Sequence, residues 1–392
     1  MQQDYDAVVV GARVAGASTA LLLARQGHRI LLIDRAGMPS DTVSTHAILR
    51  TGVLQLARWG ILDRVKAAGT PAIRHLTLGF GEERVSFPMK RDFGIEALYA
   101  PRRHILDSIL VDEAVTSGVE FADRTRMVDI RQDSHDRVSG VTIERGGRRT
   151  DVSAGIVIGA DGFRSRVAAL VGARKSVDRI PANVVHYAYF DGIDLDRFWF
   201  QFTPGVNAGL IATSAGETCV FVGRPAARLA DWHADPEAEF RRLLDDAGQD
   251  LAEIVAGGRK VTSFRGSAQL PAFFRRPFGP GWALVGDAGY CKDPISAHGI
   301  SDAFRDAELC ARAVDWSLRH PSEAPAAMGE YERVRDALSW PIFEQSLALA
   351  DFGWDAEEAS ARMRTISATV RDECATLLSL PSWPGIRTAK SA

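Results

Sequence analysis

Three stretches carry residue types whose spacing could do chemistry. The first is Tyr5–Arg35, YDAVVVGARVAGASTALLLARQGHRILLIDR. Gly11, Arg13 and Gly16 take the three positions of G-x-G-x-x-G, and Asp34 follows Gly16 by 18 residues. Free N–H groups at a helix start, together with the helix dipole, can hold a pyrophosphate. Gly11 would make the tight turn, Gly16 would let helix and strand pack closely, and Asp34 would accept from a ribose diol. Ala15 in the same turn and Arg35 beside Asp34 complete the candidate dinucleotide cradle. The competing reading is a glycine-containing strand–helix–strand turn with no ligand. Arg13 carries a Cβ where the pattern has none. Either the backbone stands further from the phosphates or the guanidinium helps to hold them. The second stretch is Ile158-Gly159-Ala160-Asp161-Gly162, followed by Arg164-Ser165-Arg166-Val167. The third is Gly286-Asp287-Ala288, then Asp293-Pro294, then His298-Gly299-Ile300-Ser301-Asp302-Ala303.

The elements that must position these residues can be read from periodicity. Ala7–Val10 and Ile30–Ile33 are apolar and β-branched, as expected of strands buried on both faces. Ser18–Gln26 between them reads as a helix stopped by Gly27. A loop-like segment, Met38–Thr45, precedes a predicted helix over His46–Leu62. LTLGF and RVSF, around Gly79–Glu83, read as a hairpin. Ile105–Thr116 reads as a helix with Leu106 and Leu110 one turn apart. Strands are expected at Val119–Phe121, Met127–Arg131, Val138–Glu144 and Arg149–Val152, with Gly146-Gly147 as a hairpin turn. Ala154–Ala160 reads as another buried strand, and a short helix over Val167–Val171 follows Asp161. Val184–Phe190, Phe198–Phe202, Ala208–Thr213 and Thr218–Val222 form a second, antiparallel-looking set. Pro236–Ala247 is helical. Trp282–Val285 is a further buried strand, and a helix runs from about Ile300 to Leu318. Residues 326–376 are mostly helical.

Composition bounds what the chain can be. Its 392 residues suit two or three domains, and a hydrophobic fraction of 46% suffices for a sizeable core. A net charge of −3 argues against a nucleic-acid partner. Cys219, Cys291, Cys310 and Cys374 are scattered, with no C-x-x-C pair. Neither a disulfide framework nor a zinc site is indicated, and no metal is expected. The first strand begins within about six residues, which leaves no room for a signal peptide. No uncharged apolar run is long enough to span a membrane. A cytoplasmic location is expected.

Taken together, in order and spacing, the three stretches resemble the FAD-dependent aromatic hydroxylase superfamily. These are the p-hydroxybenzoate hydroxylase-like, group A flavoprotein monooxygenases, including their geranylgeranyl-reductase-like and halogenase branches. The likeness covers roughly residues 5–320. It implies an α/β fold: a Rossmann-like FAD-binding domain assembled from 1–70, 99–180 and 270–325. A mostly antiparallel sheet, the substrate domain, is inserted at 71–98 and 181–269, and a helical region follows at 326–392. Non-covalent FAD is the implied cofactor. Asp287 would accept from a ribityl hydroxyl, and Pro294 would lie near the isoalloxazine face. Gly299 and Ile300 would aim helix N–H groups at the flavin N1–C2=O edge, where a partly buried helix start stabilises charge by about 1 kcal/mol. Asp161 matches the aspartate between FAD and the entering nicotinamide, with an ordinary helix cap as its competing reading. Arg103, with Leu106 and Leu110, matches R-x-x-L-x-x-x-L, whose arginine contacts the cofactor; a surface charge is the alternative. His46 and His298 are candidate catalytic groups, against core or helix-start roles.

On the substrate side, Tyr187, Tyr189, Trp199 and Gln201 are the candidate contacts, on strands crowded with Phe198, Phe200 and Phe202. Strand alternation sends some of these to each face. An aromatic-lined pocket suits a hydrophobic or aromatic small molecule. In FWFQFTP, Trp199 aligns with the first tryptophan of the halogenase W-x-W-x-I-P, but Gln201 and Thr203 replace the second tryptophan and the isoleucine. The geranylgeranyl-reductase pattern Y-x-W-x-F-P is matched only in part. The resemblance therefore implies a monooxygenase: NAD(P)H reduces FAD, O2 adds at flavin C4a, and one oxygen passes to the substrate. Isoprenoid double-bond reduction and halogenation are the alternatives. No second nucleotide fingerprint follows, so reduction by NAD(P)H directly or by a separate flavin reductase stays open, as does the oligomeric state.

Overall fold

The computed structural model describes residues 4–268 and 270–383. The first sheet begins with β1 (Tyr5–Val10), α1 (Val14–Arg25) and β2 (Ile30–Ile33). β1 lies between β2 and the long strand Arg148–Gly159, parallel to both. Glu120–Ala122 extends the sheet on the β2 side and Trp282–Leu284 on the other, both parallel. All four residues of β2 are buried, as are Ala7–Val10 of β1, which is why these strands read as apolar runs without alternation. The strands expected at Arg149–Val152 and Ala154–Ala160 are one element, whose first half pairs with the hairpin Arg126–Gln132/Val138–Arg145 and whose second half enters the parallel core.

The second sheet takes its strands from 75–88 and 183–268. The order is Arg259–Lys260, Asn183–Asp191, Thr218–Pro225, Val206–Ala212, Arg197–Thr203, His75–Phe80, Glu83–Pro88, with Arg265–Ala268 also on Asn183–Asp191. One pair, Arg197–Thr203 with His75–Phe80, is parallel; the rest are antiparallel. One face packs under Pro236–Ala247 and Gln249–Ala256, whose Phe240, Leu243, Leu244 and Leu251 meet Leu210, Val220 and Val222. The other face joins the main core with α1 and the C-terminal helices Ala324–Ala350 and Ala356–Ser379. A small third sheet, Lys175–Arg179, Ala272–Arg275 and Tyr290–Cys291, ties the two together.

One predicted boundary moves. The helix expected from His46 starts only at Arg50 and ends at Arg58. His46 adopts a left-handed φ of 65°, and Ile48 pairs with Tyr99 in an isolated bridge, so the preceding stretch is held extended. All four cysteines are free and buried. Among the described residues, no helix is long and apolar enough to cross a membrane.

Candidate functional site

The first wall of the site is the turn between β1 and α1. Gly11 has φ 107°, and a Cβ there would lie 2.4 Å from the Ala160 carbonyl oxygen. A Cβ at Gly16 would lie 1.8 Å from the Gly11 carbonyl oxygen. Both glycines are therefore required by close backbone approach, and they leave the first turn of α1 free to face a ligand. Asp34, at the end of β2, is buried and accepts from the N–H groups of Ala12 and Ala36, both at 2.8 Å. Each carboxylate oxygen keeps a further lone pair for a ribose hydroxyl. Arg35 is exposed beside it. Arg13 is the residue before α1, and its guanidinium is tied inward, to the Ser40 carbonyl at 2.7 Å, to Ser40 Oγ at 2.6 Å and to Asp107 at 2.8 Å. Arg103 holds the same Asp107 carboxylate at 3.1 Å and 3.2 Å. Asp107 is fully buried and escaped the sequence reading. Its signal was a carboxylate inside the apolar run ILDSIL.

The second wall is the segment 286–300. Gly286 has φ 59°, and a Cβ there would meet the Ala15 Cβ at 2.8 Å, so this turn sits directly on α1. Asp287 opens into the concavity between them. Its carboxyl is solvent-exposed and has no hydrogen bond among the described residues. The protein crowding round it pushes its pKa up, against the pull of Lys292 and Arg103. Asp293 caps the short turn Pro294–Ser296, accepting from Ile295 N–H at 2.9 Å, and Ala297 is left-handed at φ 52°. The long helix Gly299–Arg319 then begins with an exposed Gly299 and open space beside it, and a buried Ile300. An unpartnered carboxylate and a bare helix start, facing a glycine-defined second helix start, fit the ribityl, pyrimidine edge and pyrophosphate of FAD.

Behind that second helix start lies a buried charge cluster that the sequence reading also missed. Arg305 contacts Asp302 at 2.9 Å, Asp306 at 2.7 Å and Glu373 at 3.0 Å. Glu373 comes from the last helix; it also accepts from Thr51 at 2.9 Å and contacts His298 at 3.1 Å. Lys292 pairs with Asp302. Burial alone would raise the Glu373 carboxyl, but Arg305 and His298 overrule it and bring its pKa to about 2. Burial lowers Lys292 to about 7. His298, Asp302 and Glu373 lie close enough to hold a metal ion, but Arg305 and Lys292 already neutralise these carboxylates. His298 thus faces this cluster with no exposed surface, and burial lowers its pKa.

Asp161 bonds the start of the helix Arg166–Leu170, whose N-cap is Ser165: it accepts from Ser165 Oγ at 2.5 Å, Arg166 N–H at 2.7 Å and Val167 N–H at 3.2 Å. Burial raises its pKa, against these hydrogen bonds. The capping reading describes its geometry here.

The third wall is the second sheet. Pairing register places Tyr189, Cys219, Ile211 and Phe198 in one row across it, Tyr187, Phe221, Gly209 and Phe200 in the next, and Val185, Gly223, Asn207 and Phe202 in a third. This is the face that joins the main core. Trp199 and Gln201 are corrected by the same alternation. They point to the opposite face, where Trp199 packs with the outer helices and Gln201 donates to the Gly81 carbonyl at 2.8 Å. Tyr187 and Tyr189 are on the inner face. There His46 contacts the Tyr189 hydroxyl, and Tyr187 accepts from Ser44 N–H at 3.1 Å. Arg102 lies over the Tyr189 ring at 3.6 Å and pairs with Asp41 at 2.8 Å and Glu217 at 2.5 Å. His46 is 1% exposed, and its Nδ1 has no partner among the described residues. Burial, then Arg103, lowers its pKa to about 3, so the ring is neutral at pH 7. Further along, Phe80 stacks on Phe202 at 5.8 Å, and Trp354 meets Phe202 edge-on at 6.3 Å.

The chain is similar in fold and sequence to known proteins. The solved structure of the myxobacterial chondrochloren halogenase CndH, described as a variant of FAD-dependent halogenases, superposes with a TM-score of 0.82. It is 23% identical and covers 100% of this chain and 94% of its own. PqsL from Pseudomonas aeruginosa, described as a probable FAD-dependent monooxygenase, gives a TM-score of 0.80 at 22% identity, over 92% of this chain and 99% of its own. Among curated proteins, a digeranylgeranylglycerophospholipid reductase of Methanosarcina mazei is 25% identical over 327 residues, 80% of this chain and 75% of the relative. The family described as FAD binding domain matches residues 4–346, which span all three walls. The chain belongs to this FAD-binding family and is a FAD-dependent oxidoreductase.

Proposed function

We propose that the protein is a monooxygenase that uses FAD, NAD(P)H and O2 to oxygenate a compact hydrophobic, aromatic or polyketide-like small molecule. Gly11, Arg13, Ala15, Gly16 and Asp34 would hold the adenosine and pyrophosphate, with Arg35 at the rim. Arg103, Asp287, Pro294, Gly299 and Ile300 would hold the ribityl and ring, and Asp161 would border the nicotinamide approach. The bound flavin supplies electron storage and oxygen activation. The chain's own residues orient it, exclude water and balance charge. The Gly299–Ile300 N–H groups would stabilise negative charge at the pyrimidine edge, while Arg102 and Arg103 are held in place by Asp41 and Glu217 and by Asp107. Neutral His46 hydrogen-bonds the Tyr189 hydroxyl and would hold it in one orientation for a substrate oxygen.

The observation that carries this reading is the inner sheet face. Its buried rings make one aromatic surface, along which Phe80, Phe202 and Trp354 pack together at one end. Such a wall suits a compact ring system better than a long flexible chain. A second reading, reduction of isoprenoid double bonds, is favoured by the Methanosarcina relative. One experiment separates them: follow NAD(P)H oxidation and oxygen uptake together, with and without air, across aromatic and isoprenoid compounds. Compound-stimulated oxygen uptake with an oxygenated product is expected. NAD(P)H consumption that persists without oxygen, with a reduced product, would replace the proposal with the reductase reading. Failure of either nicotinamide to reduce the flavin would point to a partner reductase.

A further inference from the structure

The buried cluster behind the second helix start is not balanced in charge. Three carboxylates, Asp302, Asp306 and Glu373, share two cations, Arg305 and Lys292. Even with Lys292 protonated, one negative charge is left over. The group placed to balance it is His298. Its Nε2 lies 3.1 Å from Glu373 Oε2 and 4.0 Å from Asp302 Oδ1, and its Nδ1 is buried with no partner among the described residues. Glu373 is itself fixed by Arg305 at 3.0 Å and by Thr51 at 2.9 Å, so the Nε2 hydrogen meets a braced, ionised acceptor. Burial outweighs Glu373 here, helped by Lys292 and Arg305, and holds the His298 pKa below the ordinary histidine value. The imidazole is therefore neutral at neutral pH, one proton short of balancing its surroundings. His298 is also the residue immediately before the helix Gly299–Arg319. A negative charge arriving at that helix start acts on His298 through poorly polarisable protein rather than water, and so favours its protonated form.

We propose that His298 takes up a proton when the bound flavin is reduced, and so compensates the negative charge placed at the Gly299–Ile300 helix start. The inference rests on the pyrimidine edge lying at that helix start, as proposed above, and adds a partner for its charge. Two electrons and one proton convert the flavin to its reduced anion. A second proton, from solvent, adds at His298 Nδ1, while Nε2 keeps its hydrogen directed at Glu373. On reoxidation the imidazole returns that proton to solvent. The charged groups that face His298 are Glu373 from the last helix, Asp302 and Arg305 from its own, and Lys292 from the preceding turn.

The FAD-loaded protein is reduced electrochemically without oxygen, and the midpoint potential and flavin spectrum are followed from about pH 5 to about pH 9. In the wild type the potential is expected to fall about twice as steeply over an acidic range as above it, two protons per two electrons against one. The spectrum of the anionic reduced flavin should persist on both sides of the break. His298→Gln should keep FAD and the anionic spectrum, and follow the shallower line throughout. One proton per two electrons across the whole range in the wild type overturns the inference, whether or not the variant folds. So does a break that survives in His298→Gln; its loss in Lys292→Met would then pass the role to Lys292, which burial brings to about 7. A reduced flavin with the neutral spectrum at every pH overturns the placing of the pyrimidine edge at this helix start, and the inference falls with it.

Discussion

The N-terminus of α1 and that of Gly299–Arg319 face the same concavity but are held there by different means. At α1, placement is a matter of backbone contact. Gly16 lies against the Gly11 carbonyl, Gly11 lies against Ala160, and Asp34 takes the Ala12 N–H. Every contributor except Ala160 lies within about 35 residues of the chain start. At Gly299 a Cβ would meet nothing among the described residues, and the helix start is located instead by the cluster behind it. Thr51, Lys292, Arg305 and Glu373 come from four separate parts of the chain. The first arrangement needs small residues at fixed spacing. The second needs charges that cancel inside the protein, where an ion that loses its partner is costly.

If that contrast is right, the largest loss of stability comes from the charge cluster. Arg305→Met leaves Asp302, Asp306 and Glu373 short of a counter-ion and should cost about 3–5 kcal/mol in urea unfolding. A loss under about 1 kcal/mol would show that the cluster does not locate the second helix. Gly16→Ala forces a Cβ onto the Gly11 carbonyl and should cost about 1–3 kcal/mol, together with FAD retention on gel filtration. Normal FAD content in that variant would refute backbone contact as the placing device.

Acid adds a third, graded test where the loop before Arg50 meets the second sheet. His46 stays neutral in the native state down to about pH 3, whereas an unfolded histidine takes a proton near pH 6.5. Below about pH 6.5 the unfolded chain therefore holds one more proton, and stability falls by about 1.4 kcal/mol per pH unit from this group. His46→Asn, which tolerates the left-handed backbone, should show a shallower decline than wild type between about pH 6 and pH 4. Parallel curves would mean that His46 titrates normally. The smallest stability effect is expected at Asp287. Its carboxyl bonds nothing among the described residues, so Asp287→Ala should shift unfolding by no more than about 0.5 kcal/mol yet purify without yellow colour. Stoichiometric FAD in that variant would remove Asp287 from the cofactor site.

Legibility in the sequence followed the same division. β1, α1, β2 and the turn between them could be read directly, because buried parallel strands are continuous apolar runs and close backbone approach selects glycine. The helix after Gly299 and the strand before Gly286 were legible for the same reason. The inner and outer assignment of the second sheet was not. Tyr187, Tyr189, Trp199 and Gln201 all lie on aromatic-rich strands, and both faces are buried, one by α1 and the C-terminal helices, the other by Pro236–Ala247 and Gln249–Ala256. Alternation tells which residues share a face but not which face meets the cleft. The helix boundary before Arg50 also shifted, because the Ile48–Tyr99 pairing is tertiary.

By itself, then, the sequence determined the glycine turn between β1 and α1, the strands that flank it and the FAD-binding family, because each depends on contacts between residues close in the chain or on motifs of fixed spacing. Tertiary structure alone decided that Asp107 joins Arg13 to Arg103, that Glu373 reaches Arg305 and His298, and that the Asn183 amide donates to Asp293. A charge or amide shows where it is needed only once its neighbours are known, since water can satisfy it anywhere on an unfolded chain and only particular partners can satisfy it when buried.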